Sequence, residues 1–157
     1  MQSRILLGLA AVAIAIAVGG CASAAGGGGG YGGSGGSSAS GATPQSILGT
    51  WQLVSGMNAT GPISPDGSTI TLKLDGAHSG GKGPCNSFGA TETGSTTGKI
   101  SIRVGIRTMM ACADAARNVT ESNYFAALGK VTQASLSNDK LTLTGGGVSL
   151  VFTKASK

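Results

Sequence analysis

Residues able to do chemistry are few in this chain of 157 residues, and one stretch brings several of them together. Gly76-Ala77-His78-Ser79-Gly80-Gly81-Lys82-Gly83 fills the glycine and lysine positions of a phosphate-binding loop. It lacks the Ser or Thr that must follow the lysine to hold Mg²⁺. Gly83-Pro84 leads toward another strand, not toward a helix N-terminus that would present N–H groups to phosphates. Nucleotide binding is therefore not expected. His78 is the single histidine, and its glycine-rich neighbourhood predicts an exposed turn without the packed support that a general base requires. The carboxylates Asp66, Asp75, Glu92, Asp114, Glu121 and Asp139 are scattered singly. Each reads as a turn, cap or solvated-face residue, not as half of an acid/base pair. No catalytic residue, cofactor or metal is expected.

The cysteines carry more information. Cys21 closes an apolar run from Ile5 to Val18 through Val18-Gly19-Gly20-Cys21. That run, about 14 residues, is shorter than the roughly 20 a membrane-spanning helix needs. A cysteine preceded by small residues at such a place resembles the lipobox of bacterial lipoproteins, in which the thiol takes a diacylglyceryl group before cleavage ahead of it. Residues 1–20 then read as a lipoprotein signal peptide and Cys21 as the lipidated, membrane-anchoring residue. The alternative is an uncleaved N-terminal anchor, and either reading puts the rest of the chain outside the cytoplasm, at the cell envelope. Taking Cys21 away leaves an even pair, Cys85 and Cys112, in an exported domain, which reads as a disulfide. Closing a loop of about 28 residues would contribute roughly 3 to 4 kcal/mol. Buried free thiols or half a metal site are the alternatives, although neither cysteine has a nearby CxxC or histidine partner.

Residues 21–46 hold the lipidated cysteine and a Gly/Ser-rich stretch that cannot bury enough apolar surface to offset its ordering entropy, so it is read as a disordered tether. Its roughly 25 residues would give an r.m.s. reach of about 25 to 30 Å. Residues 47–157 are the size of one domain. The formal charge of +5 is spread along the chain, and no basic block interleaved with aromatics appears. Nucleic acid is thus not an expected partner, whereas weak attraction to anionic lipid or wall polymer is.

The elements that would position these residues are mainly strands. Trp51 and Leu53, then, after a loop holding Pro62 and Pro65, Ile70, Leu72 and Leu74 alternate with polar residues as half-buried strands do. Ile100 and Ile102, Leu141 and Leu143, and Val148, Leu150 and Phe152 repeat the period. Asp75-Gly76, Asn138-Asp139 and Gly145-Gly146-Gly147 supply turn chemistry between them. Between Asp114 and Leu128 the pattern changes to helical, with Val119, Phe125 and Leu128 near one stripe, Asp114 as N-cap and Gly129 as stop. An α+β domain follows: a strongly curved antiparallel β-sheet or open barrel whose apolar face one α-helix covers. Asn86 is expected to satisfy backbone groups at a turn, and Thr108 to hydrogen-bond locally where a strand gives way to the helix. Trp51, Phe88, Met109, Met110, Phe125 and Phe152 read as core, although flexible methionines beside aromatics could instead line an apolar crevice at Met109 and Phe125.

Leu48-Gly49-Thr50-Trp51, Cys85-Asn86-Ser87-Phe88-Gly89, Thr108-Met109-Met110-Ala111-Cys112 and residues 121–128 occur in an order and spacing that resembles the META/HslJ domain family, over nearly all of residues 47–157. Pro84 stands where that family commonly has a small residue. The resemblance implies a curved sheet packed on a helix, often carried by envelope lipoproteins, with Trp51, Asn86, Phe88, Thr108, Met109 and Met110 as motif residues. It also implies association with envelope stress, heat shock or drug tolerance and no established catalytic activity.

Three classes of function follow. The first is a monomeric, non-catalytic binding or assembly module, held at the membrane by its lipid and contacting an unknown protein or lipid. The second is a structural or protective lipoprotein with a filled core. The third is a hydrolase built on His78, which would require a carboxylate and a nucleophile converging on that ring.

Overall fold

Period-two alternation builds most of the sheet. The computed structural model describes residues 44–76 and 78–156; the expected signal peptide, Cys21 and the tether up to residue 43 lie outside them. In β1 (Gly49–Asn58) Trp51 and Leu53 are buried while Gln52 faces solvent. Leu72 and Leu74 do the same in β3 (Thr71–Leu74), Leu141 and Leu143 in β9 (Lys140–Gly145), and Val148, Leu150 and Phe152 in β10 (Val148–Lys154). Asn138 and Asp139 take positive φ angles of 48° and 58° ahead of β9, a conformation their short polar side chains tolerate.

Three segments depart from the sequence expectation. Pro62 lies in a short strand, β2 (Gly61–Ile63), paired to the end of β1, where a loop was expected. The tolerance of proline on a strand with one neighbour explains this. The stretch resembling a phosphate loop contains β4 (Ser79–Lys82). Its glycines serve packing: a Cβ on Gly80 would collide with the Phe88 carbonyl, and one on Gly81 with the Thr71 carbonyl. A further strand, β8 (Gln133–Ser137), was not anticipated, because only Ala134 and Leu136 mark its inward face.

With β5 (Ser87–Thr93), β6 (Gly98–Lys99) and β7 (Ser101–Arg107) the sheet has ten strands, ordered β6-β8-β9-β10-β1-β3-β4-β5-β7 with β2 on β1. All pairings are antiparallel. Only Ile100 separates β6 from β7, yet these stand at opposite ends of the order. The sheet therefore curls far enough for one chain segment to begin both edges, and it stays open.

Helix α1 (Ala115–Leu128) sits between the early and late strands of the chain and packs on the sheet. Asp114 caps it, its carboxylate accepting the Arg117 N–H at 2.8 Å, a contact typically contributing about 1 kcal/mol. Glu121, Tyr124, Phe125, Ala127 and Leu128 form the buried stripe. Val119, expected on that stripe, is exposed, because it lies about 200° around the helix from Glu121 at 100° per residue. Gly129 closes the helix, its N–H donating to the Phe125 carbonyl at 3.3 Å.

The core runs between sheet and helix. Trp51 is buried within it, with Nε1 donating to the Ile47 carbonyl at 2.8 Å. Phe88 meets Tyr124 and Phe125 edge-on at 6.1 and 5.1 Å between ring centroids, an arrangement the ring quadrupoles favour. Burial pushes the Tyr124 phenol well above its ordinary range. Among the described residues no helix is long and apolar enough to cross a membrane.

Candidate functional site

The loop after β7 is fixed through its backbone. Asn86, buried at the start of β5, accepts at Oδ1 from Thr108 Oγ1 at 2.8 Å and from the Met110 N–H at 2.7 Å. Its Nδ2 donates to the Met110 carbonyl at 3.1 Å and to Glu121 Oε1 at 2.6 Å. Ser87 N–H donates to Thr108 Oγ1 at 3.1 Å, and Thr108 N–H to the Ser87 carbonyl at 3.0 Å. The Cys85–Cys112 disulfide, with Cα atoms 5.3 Å apart, closes the loop's far end.

The expectation for Asn86 is thus met, while Thr108 bonds a residue 22 positions away and not its own neighbours. Glu121 was read as a solvated, cap or turn residue, and the structure corrects this. It is buried on the helix, where Oε2 accepts the N–H groups of Cys85 and Asn86 at 3.0 and 2.8 Å. Gly83 makes the approach possible, since a Cβ there would stand 2.9 Å from Glu121 Oε2. Glu121 opens the stretch 121–128 that carries part of the family resemblance, and that position was the one signal that could have set it apart from the other carboxylates. Cys85, Cys112 and Glu121 lie close enough together to suggest a ligand set. Their donor atoms are already spent on the disulfide and on these hydrogen bonds, so the group does not fit a metal ion.

Pinning the backbone leaves the side chains outside. Met109 and Met110, read as core, are 98% and 66% exposed, and Ile106 at the end of β7 is 85% exposed. Trp51, Phe88, Phe125 and Phe152 are buried as expected. Met109 nevertheless lies where the crevice was anticipated. A cleft of about 570 Å³ is lined by Asn86, Arg107, Thr108, Met109, Glu121 and Phe125. A second opening of about 360 Å³ continues between β7 and α1, past Gly105 and Ser122. The Arg107 guanidinium sits 5.1 Å from the Phe125 ring centroid, between the two; such a contact contributes on the order of 0.5 to 2 kcal/mol.

A third crevice, about 690 Å³, contains His78, Gly80, Gly89, Arg103, Gly105 and Ile106, and no residue of α1 lines it. The His78 backbone N–H donates to Asp75 Oδ1 at 2.6 Å, and Asp75 pairs with Lys73 at 2.7 Å. Ser79 Oγ accepts the Asp75 N–H at 3.2 Å. The neighbouring polar groups thus serve the turn between β3 and β4.

Comparison with known proteins matches the META domain family to residues 45–157. No curated protein matches the chain. Two solved structures are similar at low identity. One is a DUF4847 family protein from Bacteroides vulgatus, at 13% identity and a TM-score of 0.48, with 69% of this chain and 94% of that one covered. The other is a protein solved by NMR, at 20% identity and a TM-score of 0.46, with 67% and 87% covered.

Proposed function

The chain belongs to the META domain family, and on that premise we propose that it is a non-catalytic binding or assembly module, lipid-anchored through Cys21 at the cell envelope and serving envelope stress or drug tolerance. One observation carries the binding part of this reading. Ile106, Met109 and Met110 stand in solvent on a segment whose backbone is tied by Asn86, Thr108 and the disulfide. Side chains of this kind gain about 1.5 to 3 kcal/mol each on burial. A fold that spends a disulfide and a buried polar network on holding them outside presents them to a partner in fixed positions, which lowers the ordering cost of association. Methionines adapt to irregular partner surfaces, and the cleft beside them offers an apolar wall at Phe125 and a few polar groups.

Photo-crosslinking from position 109 of the membrane-anchored protein in cells, followed by mass spectrometry of the adduct, tests the reading. The expected result is a discrete adduct that Met110→Ser weakens and His78→Ala leaves intact. Absence of any adduct, or a cellular phenotype abolished by His78→Ala in a folded protein, would overturn it.

A further inference from the structure

We propose that the free edge of β7 takes up an extended peptide that carries an acidic side chain on each of its two faces and apolar side chains between them, and which joins the sheet as an additional strand. This deepens the binding reading above and rests on it. Among the described residues β7 pairs with β5 alone, so one side of the strand has no sheet partner. Such an edge presents main-chain donors and acceptors to any strand that reaches it. Gly105 puts no side chain beside the backbone there, and it lines all three crevices.

Successive side chains of an added strand point to opposite faces. Against β7, one set would meet the crevice of about 690 Å³ that α1 does not line. The other set would meet the two openings, about 570 and 360 Å³, that Phe125 of α1 lines. Each face of the edge thus has its own space for alternate residues, the arrangement through which strand addition gains specificity.

Charge selects the partner's chemistry. Arg103 lines the first crevice and Arg107 the other two, and β7 holds no acidic residue. The one carboxylate lining the α1 side, Glu121, is committed to Cys85 and Asn86. Carboxylates on both faces of the added strand would meet a guanidinium, a strong and directional pairing. Ile106, Met109 and Phe125 supply the apolar contacts between.

The full-length protein, immobilised, is panned against a random linear dodecapeptide library. Enriched peptides are resynthesised unmodified, N-methylated at odd positions and N-methylated at even positions. Enrichment of peptides with Asp or Glu at both an odd and an even position, and with Val, Ile, Phe or Met between them, is expected. One methylated series should lose about tenfold or more in affinity and the other far less, because only alternate N–H groups face β7. Hydrogen exchange at Gly105 or Ile106 should slow on binding. Arg103→Glu should weaken binding about tenfold or more with an unchanged melt, and Gly105→Val, whose Cβ has room, gives an independent block. Equal binding of both methylated series overturns strand addition while leaving the crevice reading in place. Enriched peptides without acidic residues, no enrichment at all, or binding to phosphatidylglycerol vesicles where no peptide binds would each overturn the peptide partner.

Discussion

Glu121 holds Asn86 with both carboxylate oxygens: Oε1 accepts the side-chain amide at 2.6 Å and Oε2 the backbone N–H at 2.8 Å, across 35 residues of chain. The helix thereby fixes the residue that in turn fixes the exposed methionine loop. Replacing Glu121 with Gln would turn one acceptor into a donor facing donors. We expect Glu121→Gln to cost about 1 to 3 kcal/mol and Glu121→Ala at least as much, read from denaturant midpoints. Amide exchange at Met110 should accelerate in both.

The disulfide gives a second expectation. Cys85→Ser and Cys112→Ser should each lower stability by roughly 3 to 4 kcal/mol, and the double variant should be little worse, since all three lose one crosslink. Equal and additive losses in chemical denaturation would contradict this.

Met109→Ser and Met110→Ser should leave the melting temperature nearly unchanged, because exposed side chains usually contribute within about 0.5 kcal/mol. Partner capture should fall. A melt lowered by several degrees would place these side chains in packing contacts that the fold does not show.

Tyr124 predicts an alkaline limit. The unfolded phenol ionises near about pH 10, whereas burial keeps the folded one protonated. Above that pH the unfolded state releases a proton the native state retains, so stability falls as pH rises. Tyr124→Phe should flatten the decline between about pH 9.5 and 11 relative to the parent protein. It should cost about 1 kcal/mol at neutral pH, for the hydroxyl contact to the Thr71 carbonyl at 3.3 Å. Thermal melts across that range read both effects.

Cys21→Ala should release the protein from membranes or leave its precursor unprocessed, since stable anchoring takes two or more acyl chains. Fractionation with normal cleavage and unchanged membrane retention would refute lipidation at this position.

Local chemistry decided what the chain could announce by itself. Leu141, Leu143, Leu150 and Phe152 alternate because a half-buried strand has period two, and Asp114 and Gly129 bracket the helix because its ends need partners for free N–H and C=O groups. The motif spacing around Trp51, Asn86 and Cys112 carried the family. The even cysteine pair pointed to the bond that the structure contains.

Tertiary structure alone decided which side of the surface the methionines occupy and what Glu121 does. Hydrophobic type predicts burial only when the backbone is free to turn a side chain inward. Here the hydrogen bonds that Asn86 makes with Thr108 and Met110, 22 and 24 positions later in the chain, set the loop from which Met109 and Met110 face outward. The glycines of β4 look like a phosphate loop along the chain and prove to be the spacing that lets three strands approach. Both outcomes depend on contacts between segments far apart in sequence, and period, propensity and spacing report only on neighbours.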